Sequence, residues 1–157
     1  MIVRLLPDQI AKQWPTIRHA LEGSLPPMAS GREGRGNRLL ESLLTDRLHC
    51  WVLFHPRAEE EEGVEVEGFL FTTAVEDSNS GAVNLMVYAL YGFTPLTEER
   101  WKEGVGLLAR WAKSKGYEKI VAYTNNERVV VMAQHLGGRA EFTFISFNVE
   151  EVAGEGI

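Results

Sequence analysis

The chain holds a single cysteine, Cys50. No internal disulfide can form, which excludes a disulfide-stapled scaffold. Cys50 lies in an apolar run, so it is expected to be a small buried hydrophobe in a reducing compartment rather than a nucleophile. No apolar run approaches the roughly 18 residues of a membrane-spanning helix, and the first eight residues lack the layout of a secretory signal. A cytoplasmic location with no membrane partner is therefore expected. Basic excess is also missing: 16 Lys and Arg face 22 Asp and Glu, for a formal charge of −6. Nucleic-acid binding needs a basic face and is not expected. Metal-ligand spacing is absent too. His49 and His55 share a strand face but lie roughly 20 Å apart along it, while His19 and His135 fall on separate helices, so no metal is expected.

What is present suits one soluble domain. The chain has 157 residues, 45% of them hydrophobic and 24% charged, enough to bury a sizeable core. The acidity is local: Glu59, Glu60, Glu61, Glu62, Glu65 and Glu67 crowd one stretch, and the rest of the chain is formally neutral. The reverse feature is Gly31-Arg32-Glu33-Gly34-Arg35-Gly36-Asn37-Arg38, a glycine- and arginine-rich segment. It does not follow a strand, so a dinucleotide-type loop is not expected. It reads as a mobile loop over 28–36, with three arginines able to hold a phosphate or an acidic partner.

Patterning predicts a strand over 2–6 and then a helix entered at Pro7-Asp8, with Asp8 as its cap. Ile10, Trp14, Ile17 and Leu21 recur at helical spacing. Pro15 either kinks this helix or restarts it, and Gly23 and Pro26-Pro27 end it. Asn37 is placed to cap a second helix with Leu39, Leu40, Leu43 and Leu44 as its apolar stripe. Residues 49–55 are apolar on both alternating sets and read as a strand covered on both faces. The glutamate run is expected at a hairpin tip, followed by strands over 64–75 and 83–91 with a turn at 77–81. Thr94-Pro95-Leu96-Thr97-Glu98-Glu99 carries helix-start chemistry. Trp101, Val105, Leu108 and Ala112 are expected on that helix's buried face, with Gly116 ending it. Gly104 and Gly106, inside the helix, are read as close helix–sheet packing. A strand over 119–124, a helix from Asn125-Asn126 to Gly137-Gly138, and a last strand over 139–149 complete the order β α α β β β α β α β. This is an α+β fold of mixed α/β layers. The β–α–β segment over 83–124 implies one parallel strand pair in a mostly antiparallel sheet.

Three features make this order resemble the GNAT superfamily of acyl-CoA N-acyltransferases. Gly68 follows an acidic hairpin. Trp111-Ala112-Lys113-Ser114-Lys115-Gly116-Tyr117-Glu118-Lys119-Ile120 is similar to the end of the family's central helix and the entry to its fifth strand. Asn126 precedes Leu136-Gly137 at the family's spacing. The resemblance covers 1–149 as a single GNAT-like domain, with 150–157 a C-terminal tail. It implies transfer of an acyl group from acetyl-CoA or another acyl-CoA to an amine acceptor. It also implies coenzyme contacts from Val87, Ala89, Gly92, Thr94, Thr97, Arg100 and Asn126. Two family features are missing. The glycine-rich pyrophosphate loop is replaced by Tyr91-Gly92-Phe93-Thr94-Pro95-Leu96-Thr97, in which Pro95 has no N–H to offer and Glu98 and Glu99 follow. The family's helix tyrosine falls at Ala133, which cannot transfer a proton. Tyr91 at a strand end and Glu76 beside a turn are the candidate acid and base. Two functions follow: an N-acyltransferase, or a non-catalytic GNAT-fold protein that binds a protein partner.

Overall fold

The computed structural model describes residues 1–58 and 62–154. The chain divides into two compact units, Met1–Asn125 and Asn126–Ile157. The first holds one sheet of β1 (Ile2–Arg4), β2 (His49–Pro56), β3 (Val64–Glu76), β4 (Val83–Gly92) and β5 (Ile120–Ala122), in that spatial order. Every neighbouring pair is antiparallel except β4–β5, which is parallel. Helices α1 (Pro7–Lys12), α2 (Trp14–Glu22) and α3 (Arg35–Leu44) connect β1 to β2, and α4 (Glu98–Lys115) connects β4 to β5.

Strand alternation divides the core between the two faces of the sheet. Cys50, Val52, Phe69 and Phe71 meet Ile10, Ile17, Leu21 and Leu43 from α1–α3. Trp51, Leu53, Leu70 and Leu85 meet Leu108 and Ala112 from α4. β2 is therefore covered on both faces, as its unbroken apolar run implies. Each such side chain contributes roughly 1.5–3 kcal/mol when fully buried. Polar groups in this core are paired: Trp51 Nε1–H donates to Thr72 Oγ1 at 2.9 Å, and His49 Nδ1 lies 3.0 Å from the same oxygen.

Two irregularities in the sheet place side chains that regular pairing would send elsewhere. Between β2 and β3 the register runs Leu53↔Gly68 and then Phe54↔Val66, leaving Glu67 as the extra residue. Between β3 and β4 it runs Phe71↔Ala89 and then Thr72↔Val87, leaving Tyr88 as the extra residue. A bulge of this kind bends the strand and re-aims the side chain it carries.

Several boundaries differ from the sequence expectations. Pro15 restarts a helix: α1 ends at Lys12 and α2 begins at Trp14, with Pro15 in its first turn. Asp8 is not the cap of α1. Leu6 holds that position, and its N–H donates to Gln9 Oε1 at 2.8 Å. α3 begins at Arg35, capped by Gly34 rather than Asn37, so Arg35 and Gly36 belong to the helix and not to a loop. On α4 the buried face keeps Leu108 and Ala112 of the expected stripe but turns away from Trp101 and Val105. Leu108 and Ala112 are buried with Leu107 and Trp111 beside them, whereas Val105 is exposed and Trp101 half-buried. Gly104 completes this face, since a Cβ there would sit 3.7 Å from Ile2 Cδ1. Gly116 ends α4 in the left-handed region, at φ 76°.

The second unit contains α5 (Glu127–His135) and α6 (Val149–Gly154). Its 139–148 segment is neither helix nor strand among the described residues, so the expected last strand over 139–149 does not form there. Apolar alternation makes a strand only where a ladder partner accepts it. Without one, Phe142, Ile145 and Phe147 remain exposed. The expected hairpin tip at Glu59, Glu60 and Glu61 and the last residues of the expected tail, 155–157, lie outside the described residues.

Candidate functional site

β4 and β5 pair over three residues only, ending at Val87↔Ala122. The next residue along β4 is the bulged Tyr88. From there to Gly92, β4 pairs with β3 and has no strand partner on its other side among the described residues. A parallel pair that parts in this way leaves one strand's backbone N–H and C=O groups open, as a ligand amide can use them. Gly92 then turns the chain toward α4: Phe93 N–H donates to Glu67 O at 2.9 Å, and Thr97 caps the helix by accepting from Arg100 N–H at 3.3 Å. The amides of Thr94, Leu96 and Thr97 make no hydrogen bond among the described residues. Free amides beside a helix N-terminus are suited to an anion. Glu98 and Glu99 in the first turn oppose that charge.

Solved structures share this fold across nearly the whole chain. A predicted acetyltransferase from Clostridium acetobutylicum, solved with acetyl-CoA, superposes with a TM-score of 0.67 at 13% identity, covering 96% of this chain and 97% of that one. A ribosomal-protein-alanine N-acetyltransferase from Brucella melitensis biovar Abortus 2308 gives 0.63 at 12% identity, covering 94% and 99%. An aminoglycoside acetyltransferase from an uncultured soil metagenomic sample, in complex with trehalose, gives 0.62 at 17% identity, covering 94% and 93%. The fold is GNAT-like. No family model matches the sequence, and no curated protein matches it.

Within this GNAT-like fold the expected coenzyme residues are dispersed in character. Val87 packs among the α4-side core residues, whereas Ala89 is buried on the α1–α3 side, because the bulge at Tyr88 intervenes. Gly92 and Thr94 are exposed at the turn, and Thr97 is the cap of α4. Arg100 is fully engaged. Its Nε and Nη2 donate to Glu67 at 3.0 and 2.9 Å, and its Nη1 donates to Glu103 at 2.7 Å. Asn126 caps α5 in the second unit, accepting from Arg128 N–H at 3.0 Å.

The two expected catalytic residues are not brought together. Tyr91 pairs with Phe69 and Glu76 with Val83, at opposite ends of the β3–β4 hairpin. Seven or eight residues of strand separate them, roughly 25 Å. The Tyr91 ring lies against Gly23 and meets His19 edge-on, its hydroxyl 3.3 Å from His19 Nε2. Glu76 is exposed at its strand end.

The sequence does not reveal the roles of three side chains of this region. In the sequence Glu67 is one acid of a run, yet in the fold it is mostly buried and shared by Arg100 and by His55 Nδ1, the latter at 2.7 Å. Burial acts to raise its carboxyl, but hydrogen bonds from His55 and Arg100 outweigh this and hold it below the usual value. His19 is the hydroxyl partner of Tyr91. Tyr88 is the bulge residue at the point where the strands part. Its phenol is pushed up, first by burial and then by Glu22, against the opposing effect of Arg35. Bulge positions carry no sequence signature here, so the pattern marks Glu67 only as one acid of a run and Tyr88 only as a packing strand tyrosine.

Proposed function

We propose that the protein is an N-acyltransferase that moves an acyl group from acyl-CoA to an amine. The observation that carries this reading is the end of β4–β5 pairing at Val87↔Ala122 beside the Tyr88 bulge, on a GNAT-like fold with α4 beginning just beyond it. Bound acyl-CoA supplies a thioester carbonyl carbon open to attack by an amine. The open edge of β4 from Tyr88 to Gly92 pairs with the amides of the pantetheine arm, and the amides of Thr94, Leu96 and Thr97 receive the diphosphate. A C–N bond forms as the C–S bond breaks. The leaving thiolate takes a proton; we assign its donation to Tyr91, a reading supported by the hydroxyl's contact with His19 Nε2 at 3.3 Å, through which the phenol would be reprotonated. Glu76 lies too far from Tyr91 to share that site, and water serves as base.

The second reading, a non-catalytic GNAT-fold protein that binds a protein partner, is favoured by the clamping of Arg100 and by Glu98 and Glu99 at the helix end. Calorimetry with acetyl-CoA separates the two. Saturable binding weaker than about 10 μM, with acyl transfer to an amine, is expected. No binding at millimolar acetyl-CoA supports the second reading.

A further inference from the structure

We infer that a cavity between the arginine-rich segment and β4 is an oxyanion subsite, which seats a carboxylate or phosphate borne by the acceptor amine. This rests on the acyltransferase reading above. The cavity has a volume of about 150 Å³ and is lined by Ser30, Arg32, Glu33, Arg35, Arg38 and Tyr88, among others. Three arginines and one acidic residue, Glu33, therefore line one small space. Only Arg35 is neutralised from behind: it is ion-paired with Glu22, and its Nη1 donates to Ser30 O at 3.2 Å. The side chains of Arg32 and Arg38 have no hydrogen bond or ion pair among the described residues, and both are exposed.

Crowded like charges are unfavourable unless something compensates them. Planar guanidinium forks match carboxylate and phosphate oxygens, so an oxyanion is the ligand that satisfies two uncompensated arginines in one cavity. Tyr88 adds a hydroxyl. A phenol is protonated at neutral pH and able to donate, and burial moves it further in that direction. The cavity is also well sited. Tyr88 is the bulge residue immediately after Val87, where β4 leaves β5. An amine held here by its oxyanion stands next to the edge of β4 proposed to carry the thioester. A small cavity on a chain of formal charge −6 fits one oxyanion, not the extended basic face that a nucleic acid requires.

The test titrates the full chain, without coenzyme, with inorganic phosphate and separately with succinate, by calorimetry. The wild type, the double variant Arg32→Gln/Arg38→Gln, Tyr88→Phe and the distant surface variant Arg110→Gln are compared. Because Arg32 and Arg38 are exposed and unpaired, the double variant should melt like the wild type. Saturable binding of at least one anion is expected. Affinity should be at least tenfold lower in the double variant, severalfold lower in Tyr88→Phe and unchanged in Arg110→Gln. The stronger of the two probes identifies the group. An amine carrying that group should then show a higher kcat/KM than its amide-capped counterpart, with the difference lost in the double variant. No saturable binding of either anion, or equal binding by the double variant, overturns the subsite. Neither result touches acetyl-CoA binding, so failure of the subsite and failure of the acyltransferase reading are read separately.

Discussion

Arg100 holds Glu67 with two parallel hydrogen bonds, Nε to Oε2 at 3.0 Å and Nη2 to Oε1 at 2.9 Å. The pair ties the first turn of α4 to the bulge in β3, and His55 joins it from β2. A side chain that looked suited to a coenzyme phosphate is therefore a strut between helix and sheet. With Glu67 only 14% exposed and Arg100 25%, solvent screens the pair only partly. Glu67→Gln should lower stability by about 1–3 kcal/mol, because it leaves a half-buried guanidinium short of its counter-charge. Denaturant unfolding measures this. An unchanged midpoint would show that the strut carries no load.

Acidification should destabilise the protein in two stages. Burial, assisted by Arg4, holds His49 below the ordinary histidine value of 6.5. The unfolded chain therefore takes up this proton before the folded one does, and stability falls as pH drops below 6.5. Glu67 and Glu103 are held below the ordinary value of 4.5, Glu103 chiefly by its hydrogen bond from Arg100. Their contribution is complete above that value and is lost as pH falls through their lowered ones. Melting temperatures from pH 8 to 3 should show both stages. His49→Gln should flatten the upper one, and an unaltered upper slope in that variant would count against the assignment.

Gly68 cannot accept a side chain. A Cβ there would lie 2.3 Å from Tyr91 O and 3.2 Å from Gly92 Cα, both backbone atoms of the paired strand. Gly68→Ala should cost about 1–3 kcal/mol or more, since the β3–β4 pairing must move to admit the methyl. Thermal unfolding of the variant is the measurement.

Gly104→Ala should do the reverse. Its Cβ would meet Ile2 Cδ1 at 3.7 Å, an ordinary contact, and alanine favours the helix by roughly 0.5–1 kcal/mol over glycine. The expected result is a raised melting temperature. A lowered one would mean that α4 packs more closely on β1 than this distance implies.

The Cys50 thiol should be inert in the folded protein. It is fully buried against the α1–α3 helices, and burial pushes it up to about 12. A thiol-specific chromogenic reagent should react at the rate of unfolding, and denaturant should expose one reactive thiol.

The sequence by itself determined the order of the five strands, the two-sided burial of β2, the parallel β4–β5 pair and the start of α4 within Thr94–Glu99, but left open whether Pro15 kinks or restarts a helix. These follow from period, capping chemistry and connection length, all written in neighbouring residues. Tertiary structure alone decided the rest. The exact phase of α4 depended on what met Leu53 and Leu70: the sheet kept Leu108 and Ala112 of the expected stripe and took Gly104, leaving Val105 exposed and Trp101 half-buried. Arg100 was committed by Glu67, a residue thirty-three positions away, and no local signal announces such a partner. The bulges that deliver Glu67 and Tyr88 arise from register between strands. The 139–149 stretch has the residues of a strand but lacks the ladder that would make it one. Pairing and register are properties of two segments at once, so one segment's sequence does not fix them.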